Sequence, residues 1–126
     1  MPRILVVDDD LGIRESLTVA LEAEGFEVET RASAPAALAR LGAGGIDAVV
    51  LDERLPGMTG CELLAELRRR GPVPPVVVVT AYGDPDLWRT LGALGARACF
   101  EKPFRLEALI GTLRRLLGPG PGGPPP

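Results

Sequence analysis

A chain of 126 residues with 46% hydrophobic residues is long enough to bury one core without a metal or disulfide staple. Its formal net charge of −3 argues against nonspecific nucleic-acid binding, so we expect no direct nucleic-acid partner. The chain has no histidine, which excludes histidine metal ligands, histidine-dependent triads and an autophosphorylating histidine, and leaves carboxylates, hydroxyls, lysine or a hard metal ion for any chemistry.

The two cysteines, Cys61 and Cys99, do not form a disulfide framework pattern, and we expect both to be free in a reducing compartment. The short apolar start of the chain is followed by three aspartates, which does not fit a signal peptide. No stretch approaches the ~18 apolar residues of a membrane span. These features predict a cytoplasmic protein with no membrane partner.

Short apolar segments alternate with amphipathic ones along the chain. We expect strands at 3–7, 27–30, 48–52, 76–79 and 98–101, and helices at 11–24, 34–41, 61–70, 85–91 and 105–117. Ser33 and Asp84 are expected to cap helices that carry a proline in the first turn. Residues 53–60 are rich in Pro and Gly, which predicts a loop.

Five strands that alternate with five helices over short connections require a mostly parallel sheet covered on both faces. The second strand alternates polar and apolar residues, which favours the flavodoxin-like, doubly wound α/β order 2-1-3-4-5 with that strand at an edge. We expect this domain to span residues 1–117. Residues 118–126 contain only Gly and Pro, which predicts a disordered tail or the stump of a linker.

Four of the expected strands lead into polar side chains at the same edge of the sheet. These side chains are Asp8, Asp9, Asp10, Asp52, Thr80 and Lys102. Open α/β sheets bind ligands beyond the carboxyl ends of their strands, at the point where the strand order reverses. Crowded carboxylates repel unless a cation neutralises them, and an oxygen-only set suits Mg²⁺. Together with a lysine and a hydroxyl, these groups indicate phosphoryl transfer, whereas Asp10 alone is expected to cap the following helix.

Several short motifs follow one another between Arg3 and Leu117. They are Asp8-Asp9, Asp52 followed by Leu55-Pro56-Gly57-Met58-Thr59-Gly60, Thr80-Ala81, Gly95-Ala96 and Lys102-Pro103-Phe104. In these motifs, which are weak singly and specific in combination, the chain resembles the receiver domain of two-component response regulators. The resemblance covers nearly the whole chain.

The resemblance implies that Asp52 takes a phosphoryl group from the phosphohistidine of a sensor histidine kinase or a phosphotransfer protein. It also implies that Asp9 and Asp52 bind Mg²⁺ directly and that Asp8 binds it through water. The backbone carbonyl of Arg54 would complete the protein ligands. Beyond self-phosphorylation and autodephosphorylation, no enzyme activity is implied.

Three further roles follow from the same resemblance. Lys102 would pair with a phosphoryl oxygen, and Thr80 would swing its hydroxyl onto another, helped by the amide of Ala81. This movement would bias a two-state surface formed by the fourth helix, the fifth strand and the fifth helix. The surface would act on an unidentified effector protein or domain, with the receiver as a monomer or as an activation-dependent dimer.

The chain departs from the family pattern three residues before the lysine, where members usually carry Tyr or Phe and this chain carries Cys99. Phe100 is one position away and should point to the opposite face of the sheet, into the core. Thr80 is therefore expected to couple weakly or differently to the output surface. Trp88 and Tyr82 are expected to fill the core, with a partner-binding role for Trp88 as the alternative. The resemblance also implies that Arg54 and Tyr82 overhang the site and tune the hydrolysis of the acyl phosphate.

Other classes of protein remain open at this point. A receiver-like module that no longer takes phosphate would only dock a partner. A dehalogenase-type phosphatase would use Asp8 as nucleophile and Asp10 as general acid, but it leaves Asp52 unexplained and needs a late acidic pair. A flavodoxin needs a phosphate-binding loop rich in Ser and Thr, where this chain has acids.

Overall fold

The computed structural model describes residues 1–118, which form a five-stranded parallel sheet with five helices. The sheet strands are β1 (Arg3–Val7), β2 (Glu27–Arg31), β3 (Ala48–Asp52), β6 (Val76–Thr80) and β7 (Ala98–Glu101). A hairpin of β4 (Arg54–Leu55) and β5 (Met58–Thr59) follows β3. The helices are α1 (Leu11–Ala23), α2 (Ala34–Gly42), α3 (Gly60–Arg70), α4 (Pro85–Ala93) and α5 (Leu106–Leu117).

The sheet order β2-β1-β3-β6-β7 confirms the flavodoxin-like order 2-1-3-4-5, with the hairpin strands counted apart. Every residue of β3 and β6 is buried, whereas no residue of β2 is. The strands differ in burial because a central strand of a parallel sheet has helices on both faces, whereas β2 lies at an edge.

Alternate residues of each central strand supply two separate cores. Leu5, Val49 and Leu51 pack in one cluster with α2, α3 and α4, while Val6 and Val50 pack in the other with α1 and α5. This division follows from the two-residue side-chain period of a strand.

The same period separates Cys99 from Phe100. Cys99 packs in the first cluster with Leu87 and Trp88, and Phe100 packs in the second, where its ring centroid lies 5.8 Å from that of Phe104. The expectation that Phe100 lies on the opposite face from position 99 and packs in the core is confirmed.

Of the two aromatic residues Trp88 and Tyr82, one lies in the core and the other lies on the surface. Trp88 is partly buried against the first cluster, as expected for core packing. The expectation for Tyr82 is wrong, because its side chain is 68% exposed. Its ring instead lies under the guanidinium of Arg54, 4.7 Å from Cζ to the ring centroid, in a cation–π contact.

Helix starts follow the expected capping chemistry. Ser33 accepts a hydrogen bond from the Ala36 N–H, and Asp84 accepts one from the Leu87 N–H at 2.8 Å. Asp10 caps α1 in the same way, as expected. Three strands have the expected bounds, and the other helices and strands differ from the expected bounds by one or two residues.

The expectation of an unpaired loop over 53–60 is wrong, because Arg54 and Leu55 pair with Thr59 and Met58. Pro56 and Gly57 form the turn between them, and Gly57 has a φ of 76°. Proline followed by a residue with positive φ is the preferred centre of a type II turn, so the residues that suggested a loop close a hairpin instead.

The start of α3 carries a capping box between Thr59 and Glu62. The Thr59 hydroxyl accepts the Glu62 N–H, and the Glu62 carboxylate accepts the Thr59 N–H. Threonine followed three residues later by glutamate is a signal of this cap that a sequence reading can use, and it places the helix start at Gly60.

At the carboxyl end of the described chain, Gly118 is the C-cap of α5 with a φ of 73°. The predicted tail over 118–126 otherwise lies outside the described residues, and the domain boundary at 117 stays a prediction. Cys61 and Cys99 are both free.

Candidate functional site

Three carboxylates meet at the carboxyl ends of β1 and β3. Asp8, Asp9 and Asp52 each offer one oxygen, and these oxygens all lie within 4.8 Å of one another. The strands are paired in register, with Val7 opposite Leu51, so the residues that follow them are neighbours. Asp8 is 2% and Asp52 6% exposed, whereas Asp9 is open to solvent.

Lys102 reaches the same point from the end of β7. Its Nζ lies 3.2 Å from Oδ2 of Asp8 and 3.5 Å from Oδ1 of Asp52. The Lys102 backbone N–H also donates to the Thr80 carbonyl at 2.7 Å, which ties the lysine to the end of β6. The Lys102–Pro103 peptide bond is cis. The structure therefore brings together Asp8, Asp9, Asp52 and Lys102, four of the five charged residues that the sequence singled out here, while Asp10 caps α1.

The charge balance of this cluster is negative. Burial raises the pKa of Asp52, and the Asp8 carboxylate raises it further, while Lys102 and the Arg54 backbone N–H lower it. One lysine faces three carboxylates, which leaves room for additional positive charge. These residues fit a hard divalent cation, because the donors are carboxylate oxygens and the Arg54 carbonyl is close in the chain.

Three further residues lie at the same carboxyl edge of the sheet. Thr80 ends β6, Ala81 follows it, and Arg54 begins the hairpin after β3. The Thr80 side chain is buried, and its hydroxyl accepts the Tyr82 N–H at 3.2 Å. Ala81 and the side chain of Arg54 are exposed. The Thr80 hydroxyl is thus held by its own loop, and the Arg54–Tyr82 pair covers that loop from outside.

Arg14 on α1 contacts the site and was not expected from the sequence. Its Nη1 donates to the Asp8 carbonyl at 2.7 Å, and Asp8 Oδ1 accepts the Asp10 N–H at 2.9 Å. These bonds hold the end of β1 in place. The signal in the sequence is spacing, since Arg14 lies one helical turn after the cap at Asp10 and can point back toward it.

Glu53 is a second residue beside the site that was not expected from the sequence. It follows Asp52 directly, is only 9% exposed, and accepts the Cys61 N–H at 3.0 Å. Burial raises the pKa of its carboxyl group. A Cβ on Gly60 would lie 2.6 Å from the Glu53 Oε2 and 2.9 Å from the Glu53 Cα, so glycine is needed where this residue meets the start of α3. The sequence carries no recognisable signal for this contact.

Comparisons with known proteins agree with this geometry. The family model described as the response regulator receiver domain matches residues 4–114. The chain is 41% identical over 118 residues to the transcriptional regulatory protein CpxR homolog of Haemophilus influenzae, covering 93% of this chain and 51% of that protein. It is 42% identical over 113 residues to the transcriptional regulatory protein FixJ of Azorhizobium caulinodans, covering 90% and 54%.

Solved structures agree as well. The chemotaxis protein CheY4 of Vibrio cholerae superposes with a TM-score of 0.86 at 34% identity, covering 93% of this chain and 99% of that one. The response regulator protein TrrA of Thermotoga maritima, solved in complex with Mg²⁺ and BeF, gives a TM-score of 0.83 at 34% identity, covering 93% and 100%.

The chain belongs to the response regulator receiver domain family. It spans about half the length of the curated relatives named above. The dehalogenase-type and flavodoxin alternatives fall away with this assignment, and Asp10 is engaged as the cap of α1. In residues 1–118 the structure has no helix with both the length and the apolar character that crossing a membrane requires.

Proposed function

We propose that Asp52 is the phosphoacceptor of this receiver domain and that the donor is the phosphohistidine of a sensor histidine kinase or a phosphotransfer protein. A carboxylate oxygen of Asp52 attacks the phosphorus, the phosphorus–nitrogen bond breaks, and the imidazole leaves with a proton from solvent. The product is an acyl phosphate on Asp52. The observation that carries the proposal is the buried Asp52 carboxylate 3.5 Å from the Lys102 Nζ, beside Asp8.

Three groups stabilise the transferred phosphoryl group in this proposal. Lys102, which now contacts Asp8 at 3.2 Å, pairs with one phosphoryl oxygen. Thr80 turns its hydroxyl from the Tyr82 N–H to a second oxygen, and the Ala81 amide donates to the same group. Fixed donors at the place where charge develops supply most of the rate in phosphoryl transfer.

The metal assigned to this site is Mg²⁺. Asp9 and Asp52 would hold it directly, Asp8 through water, and Arg54 through its backbone carbonyl. When bound, Mg²⁺ offsets the charge of the carboxylates and of the incoming phosphoryl oxygens. The support for this choice is the cluster of carboxylate oxygens within 4.8 Å, with no nitrogen or sulfur ligand among them.

The donor needs a surface beside Asp52, and a groove of about 530 Å³ offers one. It runs between α1 and residues 102–106, and its lining includes Ile13, Leu17 and Phe104. We assign contact with the kinase or phosphotransfer protein to this groove because it is largely apolar and has Lys102 at its edge. A phosphorelay that draws on ATP would act in the cytoplasm.

The Arg54–Tyr82 pair is assigned a role in the lifetime of the acyl phosphate. Both side chains are exposed, and the guanidinium lies 4.7 Å from the ring centroid. We infer that this pair limits the access of water to the acyl phosphate. Exchanging the two residues, Arg54→Tyr with Tyr82→Arg, should change the dephosphorylation rate. The rate is followed by intact mass after the donor is removed.

The direct test of phosphorylation is incubation with a small phosphodonor and Mg²⁺, followed by intact mass. Wild type should gain one phosphoryl group, and Asp52→Asn should gain none. Asp10→Asn is the matched control, because asparagine also caps helices and this residue lies outside the proposed metal ligands. Peptide mapping should place the group on Asp52, and a label on Asp8 would refute the assignment.

A second candidate is a receiver that docks a partner without taking phosphate. Cys99 favours it, because this position lacks the ring that usually reports activation. Under this candidate, wild type gains no mass with any phosphodonor and Mg²⁺, yet still binds its partner.

A further inference from the structure

The loop from Thr80 to the start of α4 is held at three points. The Thr80 hydroxyl accepts the Tyr82 N–H at 3.2 Å. The Gly83 N–H donates to Oε1 of Glu101 at 2.8 Å. Gly83 also lies against the indole of Trp88, so closely that a Cβ there would be 2.1 Å from Cζ2.

These three contacts connect different parts of the molecule. Glu101 is the last residue of β7, pairs with Thr80 in the sheet register, and precedes Lys102. The end of β7 therefore carries both the lysine of the site and the acceptor that holds the loop. Trp88 belongs to α4, so Gly83 is held between β7 and α4.

Trp88 is also the only aromatic side chain of the core cluster on this face, as far as residues 1–118 show. Cys99 packs in that cluster and has no ring. A movement of Thr80 can therefore reach Trp88 through Gly83. The side chain of Cys99 is smaller than an aromatic ring and fills less of this cluster.

We propose that Glu101 and Trp88 are positioning residues for Thr80, which hold the loop at Gly83 and carry its movement to α4 in place of an aromatic at position 99. The proposal rests on phosphorylation of Asp52 as proposed above. When the Thr80 hydroxyl turns to a phosphoryl oxygen, the Tyr82 N–H loses its acceptor and the loop shifts. The hydrogen bond from Gly83 to Glu101 breaks in that shift, and the packing of Gly83 on Trp88 carries it to α4.

The contact between Glu101 and Gly83 stabilises the resting loop, so its loss should favour the activated arrangement. Beryllofluoride with Mg²⁺ serves as the phosphoryl analogue. Glu101→Ala should bind it about three- to tenfold more tightly than wild type, the range expected when one exposed hydrogen bond to a carboxylate is removed. Glu101→Gln keeps an acceptor oxygen and should restore wild-type affinity.

Glu107→Ala is the matched control. Glu107 is exposed and lies on α5, and its side chain makes no hydrogen bond or ion pair within the part of the chain that the structure describes. This variant loses the same charge and should bind the analogue as wild type does. Calorimetry gives the affinities, and thermal unfolding checks that each variant is folded.

Trp88 is the single tryptophan of the chain, so its fluorescence reports on the contact directly. Wild-type emission should change when the analogue binds, and free Glu101→Ala should already show part of that change. Thr80→Ala, in the presence of the same analogue and Mg²⁺, should not show the fluorescence response.

Two outcomes would overturn the inference while leaving the proposed function standing. In the first, Glu101→Ala equals Glu107→Ala in affinity and in emission. In the second, wild type binds the analogue and gains phosphoryl mass, yet Trp88 emission stays unchanged. If wild type neither binds the analogue nor gains mass from a phosphodonor, phosphorylation of Asp52 is itself refuted and the inference falls with it.

Discussion

The Asp52 carboxylate lies in surroundings that oppose its charge and at the same time suit its proposed chemistry. Burial and the Asp8 carboxylate raise its pKa, while Lys102, 3.5 Å from it, works in the other direction. A bound cation or a phosphoryl-transfer complex would offset this destabilisation of the charged carboxylate. In the domain without a bound ligand, the charge of Asp52 therefore lowers the free energy of unfolding.

Replacing Asp52 by Asn should stabilise the domain in Mg²⁺-free buffer at neutral pH. The folded-state pKa of Asp52 lies above its unfolded value, so its charge destabilises the folded state at neutral pH and the effect disappears as the pH falls toward the unfolded value. The unfolding temperature of Asp52→Asn should therefore exceed that of wild type; in a domain of this size each added 1 kcal/mol of stability raises it by about 4 °C. Thermal unfolding should show this gain shrinking near pH 4, with Asp10→Asn as the isosteric control; an unchanged or lower midpoint for Asp52→Asn contradicts the account.

The two thiols should be unreactive in the folded protein. Burial, followed by the nearby Glu53 carboxylate, raises the pKa of Cys61 to about 11, and the same two causes raise the pKa of Cys99. Since the thiolate is the reactive form, disulfide exchange with a thiol reagent at pH 8 should be slower by on the order of 100-fold for Cys61 than after unfolding in urea. The variants Cys61→Ser and Cys99→Ser assign the rates, and a fast native phase that disappears in Cys61→Ser would contradict the expectation.

Side chains stabilise helix α3 at both of its ends. Thr59 and Glu62 form its capping box, and Arg68, Arg69 and Arg70 occupy its last turn, where cations suit the helix dipole. Glu66 accepts hydrogen bonds from Arg69 and Arg70. The arginine cluster is thus part of a helix end.

Glu66 makes the stability of α3 depend on pH. Hydrogen bonds from Arg69 and then Arg70 lower the pKa of Glu66 to about 2. A lowered folded pKa contributes stability that is present above the unfolded value of 4.5 and is lost as the pH falls toward 2. Urea unfolding should therefore separate wild type from Glu66→Gln at pH 7 and less at pH 3 or in 1 M salt, because salt screens exposed pairs. Glu15→Gln is the control; a difference that grows at pH 3 would rule out this pair as its source.

For the whole molecule, Mg²⁺ should act as a stabilising ligand, because the sheet gathers Asp8, Asp9 and Asp52 only in the folded state. With a dissociation constant of about 1 mM, roughly 10 mM Mg²⁺ would add about 1.4 kcal/mol to the free energy of unfolding. Urea titrations with and without Mg²⁺ measure this gain. Asp9→Asn should lose most of it and Asp10→Asn should keep it; equal gains in both variants would place the metal elsewhere.

The order of the elements and the identity of the site residues could be predicted from the sequence, because both depend on local patterns. Fully apolar segments mark central strands, the polar pattern at Glu27–Arg31 marks an edge, and Asp52 and Lys102 occur where such segments end. Parallel strands then place those ends together. For the same reason, Cys99 and Phe100 could be assigned to opposite faces from their spacing alone.

The tertiary structure decided the contacts that join residues far apart in sequence. The hydrogen bond from Gly83 to Glu101, the packing of Trp88 on Gly83 and the exposure of Tyr82 beneath Arg54 depend on how loops from different strands meet. Side-chain periodicity constrains which face a residue occupies, but it does not constrain which loop residue lies opposite it. The sequence by itself therefore determined the fold and the acidic site, and only the folded chain decided how Thr80 is held and what its movement would displace.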